Sequence, residues 1–130
     1  MTSSTESIDP GWQWHAPFAY SQATVVNGIV YVSGQASIDS NGEVVGAGDF
    51  QAQARQVFAN LKQVLEQAGS SLDRVFKVNI YMTDISHFEH VVECRKRYFS
   101  PPYPADTTVE VSSLALPGLM LEIEVTARCD

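Results

Sequence analysis

Asp49-Phe50-Gln51-Ala52-Gln53-Ala54-Arg55-Gln56-Val57-Phe58-Ala59-Asn60-Leu61-Lys62-Gln63-Val64-Leu65-Glu66-Gln67-Ala68-Gly69 is the stretch on which the fold turns. Phe50, Ala54, Val57, Phe58, Leu61, Val64, Leu65 and Ala68 recur at helical spacing and form one apolar stripe. Asp49 is a suitable N-cap, because its carboxylate can accept from the free amides of the first turn. Gly69 stands where a left-handed residue is wanted to end the helix. The spacing predicts one amphipathic helix.

Outward from that helix the pattern changes to strands. Thr24-Val25-Val26, Asn27-Gly28 and Ile29 to Ser33 read as a hairpin closed by an Asn-Gly turn. Ile38 to Val45 offers a second turn of the same chemistry at Asn41-Gly42. Downstream, Val75 to Met82 is rich in β-branched and aromatic residues and reads as a strand. Ser86 can cap a second helix through Phe99, with Phe88, Val91, Val92 and Phe99 facing inward, and Ser100-Pro101-Pro102 stops it. Thr107 to Val111 and Leu119 to Ala127 are two further strands. In the last one Leu121, Ile123 and Val125 alternate with Glu122, Glu124 and Thr126, so one face is buried and the other polar. The order is β-β-α-β-α-β-β. Such an order predicts an α+β fold, a sheet with two helices on one face.

The 130 residues, 45% of them hydrophobic, suffice for a single domain with one core. Residues 1–11 are polar and small and read as a flexible arm. Trp12-Gln13-Trp14-His15 follows, either a hydrophobic lid over the core or a neighbouring subunit, or a wall of a ligand pocket. No apolar run approaches the roughly 20 residues of a membrane span. The N-terminus carries neither a basic flank nor an apolar signal stretch, so a cytoplasmic protein is expected. The formal net charge of −7 repels phosphate backbones and argues against nucleic-acid binding. The basic run Arg95-Lys96-Arg97 reads as a solvated helix end. Cys94 and Cys129 show no motif spacing and read as reduced thiols.

One further run, Tyr103-Pro104-Ala105-Asp106-Thr107-Thr108-Val109-Glu110-Val111, carries a resemblance. With Tyr20, Ile29 to Gln35, Gln53-Ala54-Arg55-Gln56 and Leu121-Glu122-Ile123-Glu124, in that order and spacing, it resembles the Rid family of reactive intermediate deaminases, also called YjgF or L-PSP. The resemblance extends from about Tyr20 to Ala127. It implies the chorismate-mutase-like fold, a mixed sheet with two helices on one face, and a homotrimer built around a central barrel. It also implies a small-molecule ligand in clefts between subunits, and no cofactor. The family reaction is hydrolysis of an enamine or imine to a ketone and ammonia.

Residue by residue, the resemblance places Tyr20, Ser33, Gly34 and Glu122 in the site. Glu122 would hold or activate water, as burial raises a carboxylate's pKa toward neutrality. Backbone amides around Gly34 and Thr107-Thr108 would hold polar substrate atoms, and Tyr20 would close the pocket. Without that context Glu122 is a solvated strand residue, Ser33-Gly34 turn chemistry and Tyr20 a packed aromatic. The departure is Asp106, which stands where the deaminase branch carries an arginine that clamps the substrate carboxylate. An aspartate there is expected to repel a carboxylate. Three outcomes follow: a deaminase with other substrates, a replacement cation such as Arg55, Arg74 or His15, or a non-catalytic ligand-binding trimer. His87, His90 and Cys94, near one helical face with Glu89 and Glu93, are too few for a structural zinc site, and no metal is expected.

Overall fold

The computed structural model describes residues 4–130. Six strands and two helices follow in chain order: β1 (Glu6–Ile8), β2 (Ala23–Val26), β3 (Ile29–Ala36), α1 (Phe50–Gln67), β4 (Val75–Met82), α2 (Phe88–Tyr98), β5 (Ala105–Glu110) and β6 (Leu121–Arg128). They form one sheet in the order β1-β2-β3-β6-β4-β5. All neighbours are antiparallel except β4 and β5, which run parallel and are joined through α2 as the crossover helix. The sheet is therefore mixed, and the α+β class is as expected.

The local chemistry explains the joints. Asn27 and Gly28 both take positive φ, 52° and 77°, the signature of a tight hairpin turn between β2 and β3. Asp49 caps α1 by accepting from the Ala52 amide at 3.1 Å, and Gly69 leaves the helix at φ 80°. Val57, Phe58, Leu61, Val64 and Leu65 bury the stripe of α1 against Val30, Val32, Val78, Ile80, Ile123 and Val125 of the sheet. Two buried amides tie helix to loops. Gln53 donates to the carbonyls of Gly46 and Gly118 and accepts from the Met120 amide. Asn60 donates to the carbonyls of Ala36 and Ile38.

Two expectations need correction. The second helix is not capped by Ser86. A 3-10 turn over Ile85–His87 leads into α2, and Asp84 accepts from the Ser86 amide at its start. Consequently Phe88 is exposed and Val92 only partly buried, while Val91 and Phe99 do reach the core. The expected arm, residues 1–11, is in its described part a structured edge. Glu6–Ile8 pairs with β2, Ile8 is buried, and Asp9 accepts from the amides of Gly11 and Trp12. Residues 1–3 lie outside the described ones.

The opposite face of the sheet carries no helix. It presents Tyr31, Asn79, Tyr81, Glu122, Glu124 and Thr126, which are cross-strand partners as Tyr31–Thr126, Asn79–Glu124 and Tyr81–Glu122. No helix among the described residues is long and apolar enough to cross a membrane.

Candidate functional site

Strand alternation decides which candidates meet. Leu121, Ile123 and Val125 are buried toward the helices, so Glu122 and Glu124 between them point to the helix-free face. Glu124 is committed there. It accepts from Tyr81 Oη at 2.6 Å and from Asn79 Nδ2 at 3.0 Å. Glu122 has no hydrogen-bond or ion-pair partner among the described residues. Burial pushes its carboxyl above the ordinary glutamate range, and the charge of Glu124 adds to the rise.

Gly34 lies directly against this carboxylate. A Cβ at residue 34 would stand 2.8 Å from Glu122 Cδ and 3.0 Å from its Cγ, closer than side chains approach. Glycine is thus the residue that leaves room for Glu122 where β3 bulges between Val32 and Gln35. Ser33 Oγ donates to the Ser21 carbonyl at 2.6 Å, so this hydroxyl fastens β3 to the segment that carries Tyr20. Tyr20 itself stays 42% exposed. Burial raises its pKa, with the charge of Glu122 contributing. The buried Nε2 of nearby Gln22 has no hydrogen-bond partner among the described residues. Tyr20, Ser33, Gly34 and Glu122 therefore belong together.

The two tryptophans are placed differently. Trp12 is buried in the core. Trp14 and His15 instead face Tyr20, with ring centroids 6.4 and 5.5 Å away. His15 is buried, its Nε2 lies 3.3 Å from Asp9 Oδ2, and its Nδ1 has no hydrogen-bond partner. Trp14 also packs against the core, so the segment ties Tyr20 to the body of the fold.

Asp106 and Thr108 lie elsewhere. They pair with Val78 and Ile80, which are buried toward the helices, so both side chains point to the helix side of β5. There Asp106 is not a bare carboxylate. Arg95, from the last turn of α2, grips Asp106 in a bidentate pair, Nε to Oδ2 at 3.0 Å and Nη2 to Oδ1 at 2.9 Å. Thr108 accepts from Arg95 Nη2 at 2.8 Å and donates to Asp106 Oδ1 at 2.6 Å. The aspartate charge is matched by a guanidinium in contact with it. Thr107 points the other way and meets Lys77 Nζ at 3.2 Å.

The cations named as replacements are engaged or distant. Arg74 pairs with Asp130, His15 with Asp9, and Arg55 lines a groove between α1 and α2 with Arg97. The basic residue at residue 106 is Arg95, which the sequence reading left among solvated helix-end charges. His87 and His90 stack on the Phe50 ring, and Cys94 packs against the core. One chain thus carries two clusters on opposite faces of its sheet: Tyr20-Gly34-Glu122, and Arg95-Asp106-Thr108.

Comparison with known proteins agrees with this architecture. The family profile described as Endoribonuclease L-PSP matches residues 13–129. The Saccharomyces cerevisiae protein HMF1 is 40% identical over 112 residues, covering 86% of this chain and 85% of its own. A 2-iminobutanoate/2-iminopropanoate deaminase from Dermatophagoides farinae is 36% identical over 95 residues, 73% of this chain and 74% of its own. The crystal structure of RidA from the Antarctic bacterium Psychrobacter sp. superposes with a TM-score of 0.85 at 38% identity, over 95% of this chain and 98% of that one.

Proposed function

This chain belongs to the Rid (YjgF, endoribonuclease L-PSP) family, and on that premise we propose that it hydrolyses small imines or enamines. Water adds to the C=N carbon, the C–N bond breaks, and a carbonyl compound and ammonia leave. The observation that carries this reading is Glu122, a half-buried carboxylate with a raised pKa, without a partner among the described residues, set against Gly34 and near enough to Tyr20 for its charge to raise that phenol. A base with a pKa brought toward neutrality can both take a proton from water and return one to the leaving nitrogen. Tyr20 supplies a hydroxyl and an aromatic wall. The similarity to an imine deaminase points the same way.

The proposal includes a homotrimer with the ligand in a cleft between subunits. Two clusters on opposite faces of one sheet support it, since a second chain is the simplest way to bring them to one ligand. It also keeps a cytoplasmic setting, in keeping with free Cys94 and Cys129. Ribonuclease activity fits a net charge of −7 poorly. A second reading, ligand binding without turnover, is favoured by the absence of an arginine at residue 106.

The test is ammonia release from imines generated in situ by an amino-acid or amine oxidase, with semicarbazide trapping as the competing readout. Substrates with carboxylate, neutral and cationic groups are compared. Acceleration by the wild-type chain, lost in Glu122→Gln, is expected. The rate should rise with pH through a value above the ordinary glutamate pKa, because the carboxylate is the active form. A chain that leaves every imine at its buffer rate, yet binds a ligand in the cleft, is the non-catalytic alternative.

A further inference from the structure

We propose that Arg95 is the substrate-anchoring residue of this chain, receiving a carboxylate, with Asp106 and Thr108 as its positioning residues. The inference rests on the cleft reading above and names the substrate class. It starts from the bonds that Arg95 makes and those it leaves. Nε and one Nη2 proton go to Asp106, and the other Nη2 proton goes to Thr108 Oγ1. Nη1, with two N–H groups, has no acceptor among the described residues. The guanidinium also lies over the Phe88 ring, 5.2 Å from its centroid. A side chain held by three hydrogen bonds and an aromatic face has little rotamer freedom left to lose on binding. It is only 26% exposed, and Asp106 only 16%, so incoming hydrogen bonds are partly shielded from water.

Reach supports the assignment. An arginine at residue 106 would project its guanidinium roughly 6 Å from the strand backbone. An aspartate in bidentate contact with a guanidinium places that guanidinium at about the same distance. The chain thus offers a guanidinium in the expected region, but rooted on α2. Both Asp106 oxygens already accept from Arg95, and Oδ1 also from Thr108. What remains for a ligand is donor capacity, which suits a carboxylate. The pair sums to zero charge, so an anion meets two N–H donors without the repulsion of a bare aspartate. Residue 106 sits on β5, which has β4 on one side and no strand on the other, so this cluster lies at the open edge of the sheet.

Calorimetric titration of the full-length protein with 2-oxobutanoate and its uncharged amide separates anchoring from turnover. Wild type should prefer the acid. Arg95→Met should remove that preference, weakening the acid by roughly 10- to 100-fold and the amide much less. Arg95→Lys should keep part of the preference and lose the fork geometry. Thr108→Val should lower it by a smaller factor. The exchange Arg95→Asp with Asp106→Arg should restore it, since it returns a paired guanidinium to the same place. Arg97→Met, on the same helix end, should leave it unchanged. An Arg95→Met protein that keeps its melting temperature and still prefers the acid would overturn the assignment. So would a wild type with no preference. Acid binding that depends on Arg95, without hydrolysis of any imine, would defeat the deaminase reading and leave this inference standing.

Discussion

Glu122 is harder to ionise in the folded chain than in the unfolded one, and that fixes the sign of its effect on stability. Below the ordinary glutamate pKa of about 4.3 it is protonated in both states and costs nothing. As pH rises the unfolded chain ionises first, so stability falls until pH passes the folded pKa, and the loss is constant above. Glu122→Gln should therefore melt higher than wild type at neutral pH, with the gain vanishing near pH 4. Partial exposure keeps the gain to a few °C at most. The same variant should lose about 100-fold or more in ammonia release. Thermal unfolding across pH checks the first half, and a gain independent of pH would show that ionisation is not its source. Gly34→Ala tests the same carboxylate from its other side. The new methyl pushes on a side chain that can swing away, and Gly34 has no positive φ to lose. Melting should change little while hydrolysis falls at least about tenfold. A Gly34→Ala protein with full activity would mean that the observed Glu122 position is not the working one.

At the scale of elements, α1 is tied to the strand that carries Glu122 through Gln53. Its amide spans to Gly118 and Met120, just ahead of β6, and to Gly46 ahead of the helix. Gln53→Ala should leave the Gly118 carbonyl and the Met120 amide without their protein partner, while the Gly46 carbonyl keeps the Asp49 amide, and should cost about 2 kcal/mol, read as a lower denaturation midpoint at unchanged slope. A loss under about 1 kcal/mol would mean that water takes over these two bonds. This residue also shows where sequence reading stops. The stripe of α1, its Asp49 cap and its Gly69 exit are local and were legible in periodicity. Gln53 sits on the same helix, but its role depends on partners 65 and 67 residues away. The start of α2 was misplaced because a 3-10 turn capped by Asp84 precedes it, and the helix then begins after His87 with no side-chain cap. The Rid resemblance pointed to Tyr20, Gly34 and Glu122, and the fold brings them near one another. It did not point to the Arg95–Asp106 pair, whose two members lie on different elements. The available signal was Asp106 itself, a carboxylate within a strand that needed a cation.

The whole molecule presents a different constraint: Glu122 and Arg95 cannot reach one ligand from opposite faces of a single sheet. If each cleft takes its Glu122 cluster from one chain and its Arg95 cluster from the next, two dead variants should revive each other. Glu122→Gln keeps an intact Arg95 cluster, and Arg95→Met keeps an intact Glu122 cluster. Unfolded together in equal amounts and refolded into closed cyclic trimers, they should form wild-type clefts in about a quarter of positions. Activity on a carboxylated imine should then recover to about a quarter of the wild-type value, while each variant refolded alone stays inactive. Light scattering on the refolded mixture checks that the species is a trimer. Recovery would assign the two clusters to different subunits of one cleft. No recovery in a mixture that has reassembled would mean that only one of the two clusters serves the reaction.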